Sequence, residues 1–77
     1  MKKKSIIFTK HAEEMLVERE FPKELIEDIV TKPEWTEASD EDIWYAFKRI
    51  REKVLRVVVN GKNPSIVLTM YFDRRIK

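Results

Sequence analysis

The 77-residue sequence predicts an α+β domain in which a helical hairpin packs on one face of a small antiparallel sheet. Three observations carry that prediction. Apolar residues recur with a helical period up to Pro33 and with a period of two after it. Pro22 and Pro33 stand where helices begin and stop. Short stretches of turn residues separate the later apolar runs, leaving no room for crossover helices, so those strands are antiparallel neighbours. The predicted order is β-α-α-β-β-β(-β), in a single domain covering residues 1–77.

Ser5 to Phe8 reads as the first strand. Thr9 is the N-cap of the first helix, in which Ala12, Met15 and Leu16 share one face. Pro22 fits the first turn of the second helix, and Leu25, Ile26, Ile29 and Val30 form its apolar stripe. The connection at Glu20 and Phe21 is short, which makes the two helices a hairpin. Trp35 to Ala38 is a weak strand, and Ser39 to Asp42 is turn chemistry. Ile43 to Ile50 is an aromatic-rich strand that turns at Arg51 to Lys53. Val54 to Asn60, with four valines and a leucine, is the strongest strand. Gly61 to Pro64 is a loop, Ile66 to Phe72 the last strand, and Asp73 to Lys77 a frayed end.

Composition narrows the chemistry. Hydrophobic residues make up 43% and argue for a folded core. The absence of cysteine excludes disulfides, thiolate zinc sites and a cysteine nucleophile. One histidine argues against a transition-metal site, and one glycine against a phosphate-cradling loop. Ser5, Ser39 and Ser65 lie in no nucleophile context. No apolar run approaches the roughly 18 residues that a bilayer requires. A soluble, cytoplasmic protein without metal or cofactor is expected.

Charge is segregated. The net charge is +2, yet residues 1–10 carry +4, residues 11–42 carry −9 and residues 43–77 carry +7. Such blocks can produce an acidic helical face and a basic sheet face; the plain alternative is a solvated helical surface of glutamates beside an ordinary mixed sheet.

Side chains alternate along strands. Ile66, Leu68, Met70 and Phe72 form one apolar row, and Leu55, Val57 and Val59 another; both are expected to face the helices. Arg56 and Tyr71 then share the uncovered face. In Ile43 to Ile50 both rows carry large apolar groups, which leaves its orientation open. With Lys48, Arg49, Arg51 and Lys53 nearby, Arg56 and Tyr71 suit a polyanion: guanidinium groups fork onto phosphates and rings stack on bases. Against this stand structural roles, Arg56 extended over apolar neighbours and Tyr71 covering the sheet. His11, at the edge of the first helix's apolar stripe, reads first as a hydrogen-bonded structural residue. Arg19 lies on that stripe's axis; a charge so placed pairs with an acid of the second helix or reaches past the helix end, and a structural ion pair is favoured over a site role.

Several segments together resemble the domain-of-unknown-function family 4258. They are Phe8-Thr9-Lys10-His11-Ala12, then Glu18-Arg19, then Leu55-Arg56-Val57-Val58-Val59 and Leu68-Thr69-Met70-Tyr71. Glu20 departs from the pattern, which usually has glycine there. The resemblance implies a RelE/ParE-like fold, similar also to BrnT-type toxins. It implies a toxin of a toxin–antitoxin pair, many of which cut messenger RNA on the ribosome while some inhibit DNA gyrase. His11, Arg19, Arg56, Thr69 and Tyr71 fall on the family's recurring positions.

Two functions follow as expectations. In a metal-independent endoribonuclease, Arg56 would neutralise the phosphate, His11 would move protons and Tyr71 would stack on a base or orient a proton. Arg19, Lys48, Arg49 and Arg51 would hold the strand. In a non-catalytic binding module, the same surface would engage nucleic acid or an acidic protein segment. RNA, the ribosome or an antitoxin are the expected partners, and an exposed edge strand could pair with a second copy.

Overall fold

The local rules for helix starts and stops account for most of the chain's path. The computed structural model describes residues 6–61 and 65–73, so Ser5, much of the loop after Gly61 and the end beyond Asp73 lie outside the described residues. Seven elements follow the predicted order: β1 (Ile6–Phe8), α1 (Lys10–Arg19), α2 (Lys23–Thr31), β2 (Trp35–Ala38), β3 (Ile43–Ile50), β4 (Lys53–Asn60) and β5 (Ser65–Asp73). Thr9 caps α1, its Oγ1 accepting from the Ala12 N–H at 3.0 Å. The helix ends where Glu20 turns left-handed at φ 59°, and the Phe21 N–H donates to the Leu16 carbonyl at 2.9 Å. Pro22 stands one residue earlier than expected, as the N-cap of α2 rather than within its first turn.

The five strands form one sheet in the order β1-β5-β4-β3-β2. β2 to β5 are antiparallel neighbours, but β1 runs parallel to β5. The sheet is therefore mixed, which corrects the expected all-antiparallel arrangement. Turn lengths fix the direction of consecutive strands; β1 joins the sheet beside the last strand, a pairing that no turn dictates.

Both helices cover one face. Ala12 and Leu16 of α1 and Ile26, Ile29 and Val30 of α2 pack with Ala46, Leu55, Val57, Val59, Val67 and Met70. Trp44 and Ile50 join this cluster, so the Trp44/Ala46/Ile50 row of β3 faces the helices and Tyr45 and Phe47 face away. Burial of each of these larger side chains contributes about 1.5–3 kcal/mol.

The inward row of β5 differs from the expected one. Val58 pairs with Thr69 but Val59 pairs with Val67, so a bulge leaves Leu68 without a cross-strand partner. Met70 and Phe72 face the helices as expected; Val67 replaces Ile66 and Leu68 in the core. Asp73, read from the sequence as part of a frayed end, instead closes β5 and is buried.

Candidate nucleic-acid interface

Register alone assembles the uncovered face. Trp35 pairs with Phe47, Phe47 with Arg56, and Arg56 with Tyr71, making one row across four strands. The next row is Glu37, Tyr45, Val58 and Thr69. Trp35 stacks on Phe47 with ring centroids 5.0 Å apart and planes 4° from parallel. Tyr45 meets Phe47 edge-on at 6.3 Å. The Arg56 guanidinium sits among these rings, 4.5 Å from the Tyr45 centroid, 5.0 Å from Phe47 and 5.9 Å from Tyr71.

Arg56 is not an open cation. Only 9% of it is exposed, and its Nη2 donates to Asp73 Oδ2 in a buried ion pair. Its Nε is buried without a hydrogen-bond partner. Phe47 and Val54, on the same face, are fully buried although no helix covers them. This side of the sheet therefore has a small core of its own, floored by Phe47 and centred on a neutralised arginine.

The sequence-predicted residues separate into groups. Arg56 and Tyr71 are direct cross-strand partners. His11 is exposed at the start of α1, on the helical side. Leu55 and Val57, which flank Arg56, pack into the core beneath the helices, so the sheet lies between His11 and the Arg56–Tyr71 pair. Of the basic residues assigned to the strand-holding surface, Arg49 is exposed on the uncovered face, its N–H donating to Glu34 Oε1 at 3.3 Å. Lys48 pairs with Leu55 and so belongs to the helical side. Arg51 is exposed in the β3–β4 turn, at φ 60°. Arg19 is exposed and forms no ion pair among the described residues, a correction of the expected structural pair. Its position on the stripe's axis falls one turn past Leu16, the last buried residue of α1, where Arg19 lines an open groove with Glu18, Phe21, Lys53 and Phe72.

The expected basic sheet face is also corrected. Among the described strand residues of the uncovered face, Arg49 and Arg56 are matched by Glu37 and Asp73. The surface is aromatic and locally balanced in charge. Trp35, Tyr45, Phe47 and Asp73 were not among the predicted site residues. Strand alternation would have grouped Tyr45 and Phe47 with Arg56 once the other row was assigned to the helices. Asp73 stands two residues after Tyr71, on the same face.

Among the described residues, no three His, Cys, Asp or Glu side chains are grouped to hold a metal ion. No helix among them is long and apolar enough to cross a membrane. The chain has no significant match to a protein-family model, to a curated protein or to a solved structure.

Proposed function

We propose that this chain is a RelE-like, cytoplasmic binding module that holds single-stranded RNA on the uncovered sheet face without cutting it. The observation that carries this reading is the half-buried aromatic cluster of the uncovered face, in which Tyr45 and Tyr71 flank Arg56 and Trp35 stacks on Phe47 beside it. Unpaired bases stack on such rings in a sequence-tolerant way, at about 1–3 kcal/mol per base. Arg49 and Arg51, exposed at one end of that face, are the phosphate contacts. The RelE-like element of the proposal is supported by the element order and by the two helices on one sheet face, both of which the family resemblance implies. The non-catalytic element is supported by the separation of His11 from Arg56 and by the Arg56–Asp73 pair. Cleavage of RNA by its own 2′-hydroxyl needs a proton-transfer group and a phosphate-neutralising group on the same phosphate.

One observation favours a second reading, that of a toxin-like endoribonuclease: Arg56 and Tyr71 face each other directly across β4 and β5. In that case an antitoxin strand would pair with an edge of the sheet, at β1 or β2.

The test is binding of a labelled RNA of about ten nucleotides. The intact chain is expected to bind it with an affinity that falls as salt rises. Trp35→Leu should weaken binding by about tenfold or more, while His11→Ala should leave it unchanged. Absence of binding at low salt overturns the reading. Cleavage of the RNA in the presence of ribosomes, lost in His11→Ala, replaces it with the endoribonuclease.

A further inference from the structure

Resting on that binding reading, the geometry at Arg56 points to a specific device. We propose that Asp73 is a built-in competitor for the bound strand. Its carboxylate holds the Arg56 guanidinium in the aromatic cage, and one phosphate of the RNA takes the carboxylate's place.

Three observations carry the proposal. The first is the pair itself. The Arg56 and Asp73 side chains are 10% and 3% exposed, so both charges are largely out of water. The attraction in such a pair is offset by the desolvation of both ions, which leaves little net stabilisation to lose when an equivalent anion replaces the carboxylate. A phosphate diester is such an anion, with oxygens that match a guanidinium fork.

The second is an unused donor. Asp73 takes a hydrogen bond from Nη2, while Nε is buried with no partner. Guanidinium presents five N–H groups in a planar fork. An oxyanion bound to Nε and a terminal nitrogen together would satisfy the donor that the present arrangement leaves empty, and an orphaned buried donor favours that exchange.

The third is the position of Asp73. β1 pairs only with Ser65 to Val67, so from Thr69 onward β5 is bonded to β4 alone among the described strands. Asp73 is the last residue of that stretch. Turning its carboxylate away therefore acts at the end of β5, where no second strand is bonded among the described residues. The rings of Tyr45 and Tyr71 flank the guanidinium, so a phosphate seated there brings its neighbouring bases within reach of both.

The experiment follows a fluorescein-labelled oligouridylate of about ten nucleotides by anisotropy across a salt series. The chains are the wild type, Asp73→Asn, Arg56→Lys and the double variant. Asp73→Asn should bind about tenfold tighter, the scale of one charge-assisted contact. The slope of its log-affinity against log salt should match that of the wild type, because the same phosphate contacts form in both. The gain in affinity should vanish when Arg56→Lys is also present. Wild-type binding with no gain in a folded Asp73→Asn overturns the competitor role and leaves the binding reading in place. No binding by either overturns both. Because Asp73→Asn strips a buried charge of its partner, a second measurement uses only the wild type: the Arg56 Nε–H resonance should shift in step with RNA occupancy. A resonance unmoved at saturation overturns the proposal.

Discussion

Two single residues hold the connections together under opposite constraints. Glu20 ends α1 at φ 59°, ψ 39°, a left-handed conformation that costs a residue with a Cβ about 1–2 kcal/mol. It also sets a carboxylate at the negative end of the helix dipole. This is the position at which the sequence departs from a pattern that has glycine. Glu20→Gly should therefore stabilise the fold by about 1 kcal/mol, after the greater freedom of glycine in the unfolded chain is subtracted. A thermal melt should rise by about 4–8 °C. Glu20→Ala keeps the Cβ and should gain much less; an equal rise in both variants would show that charge, and not conformation, is the cause. Gly61 is the reverse case. Its φ is ordinary, but a Cβ there would lie 2.8 Å from Trp44 Nε1 and 2.9 Å from Trp44 Cδ1. Gly61→Ala should cost about 1–3 kcal/mol by displacing the indole. A double variant with Trp44→Leu should recover most of that loss in urea unfolding; no recovery would place the strain elsewhere.

Among the elements, β5 shows where local pattern stops being informative. Alternation from Ile66 to Phe72 predicts one unbroken apolar row, and Met70 and Phe72 obey it. The bulge at Leu68 shifts the rest, and nothing within β5 marks it, because it arises from how β4 and β5 pair. Its partner is Thr9. The Thr9 Oγ1 donates to the Leu68 carbonyl at 3.1 Å while accepting from the Ala12 N–H, and the Thr9 N–H donates to the Val67 carbonyl at 3.1 Å. One hydroxyl thus starts α1 and satisfies the carbonyl that the bulge frees. The cap was legible from the sequence; the second bond joins residues 59 apart and was not. Thr9→Ala should cost about 1–2 kcal/mol, toward the top of the range for a lost cap. Thr9→Ser keeps the hydroxyl and should restore most of it. Faster hydrogen exchange at both Ala12 and the β4–β5 ladder would mark the dual role; faster exchange at Ala12 alone would reduce Thr9 to a simple cap.

At the scale of the whole molecule, the separation of charge in the sequence corresponds to layers, but less simply than its arithmetic implies. The acidic block of residues 11–42 forms the two helices, β2 and the loop after it. The basic block of residues 43–77 contains three strands, yet its central arginine is neutralised within the fold. Alternation placed Arg56 and Tyr71 on the uncovered face. It did not reveal the Arg56–Asp73 pair or the rings around it, because those contacts come from four strands brought into register. The consequence is mechanical as well as electrostatic. A chain of this length is stable by about 4–12 kcal/mol. With one helical layer it has one large core, and the second face adds Phe47 and Val54 at full burial. If that face belongs to the same cooperative unit, Phe47→Ala should destabilise by about 3–5 kcal/mol, as much as Leu55→Ala on the helical side. The urea midpoints of the two variants should then fall together, with an unchanged slope. A Phe47→Ala midpoint close to that of the wild type would mean that the aromatic face is a surface laid on a finished fold. A fall equal to that of Leu55→Ala would mean that the aromatic face also holds the sheet closed from behind, and that the proposed RNA binding would draw on the fold's own stability.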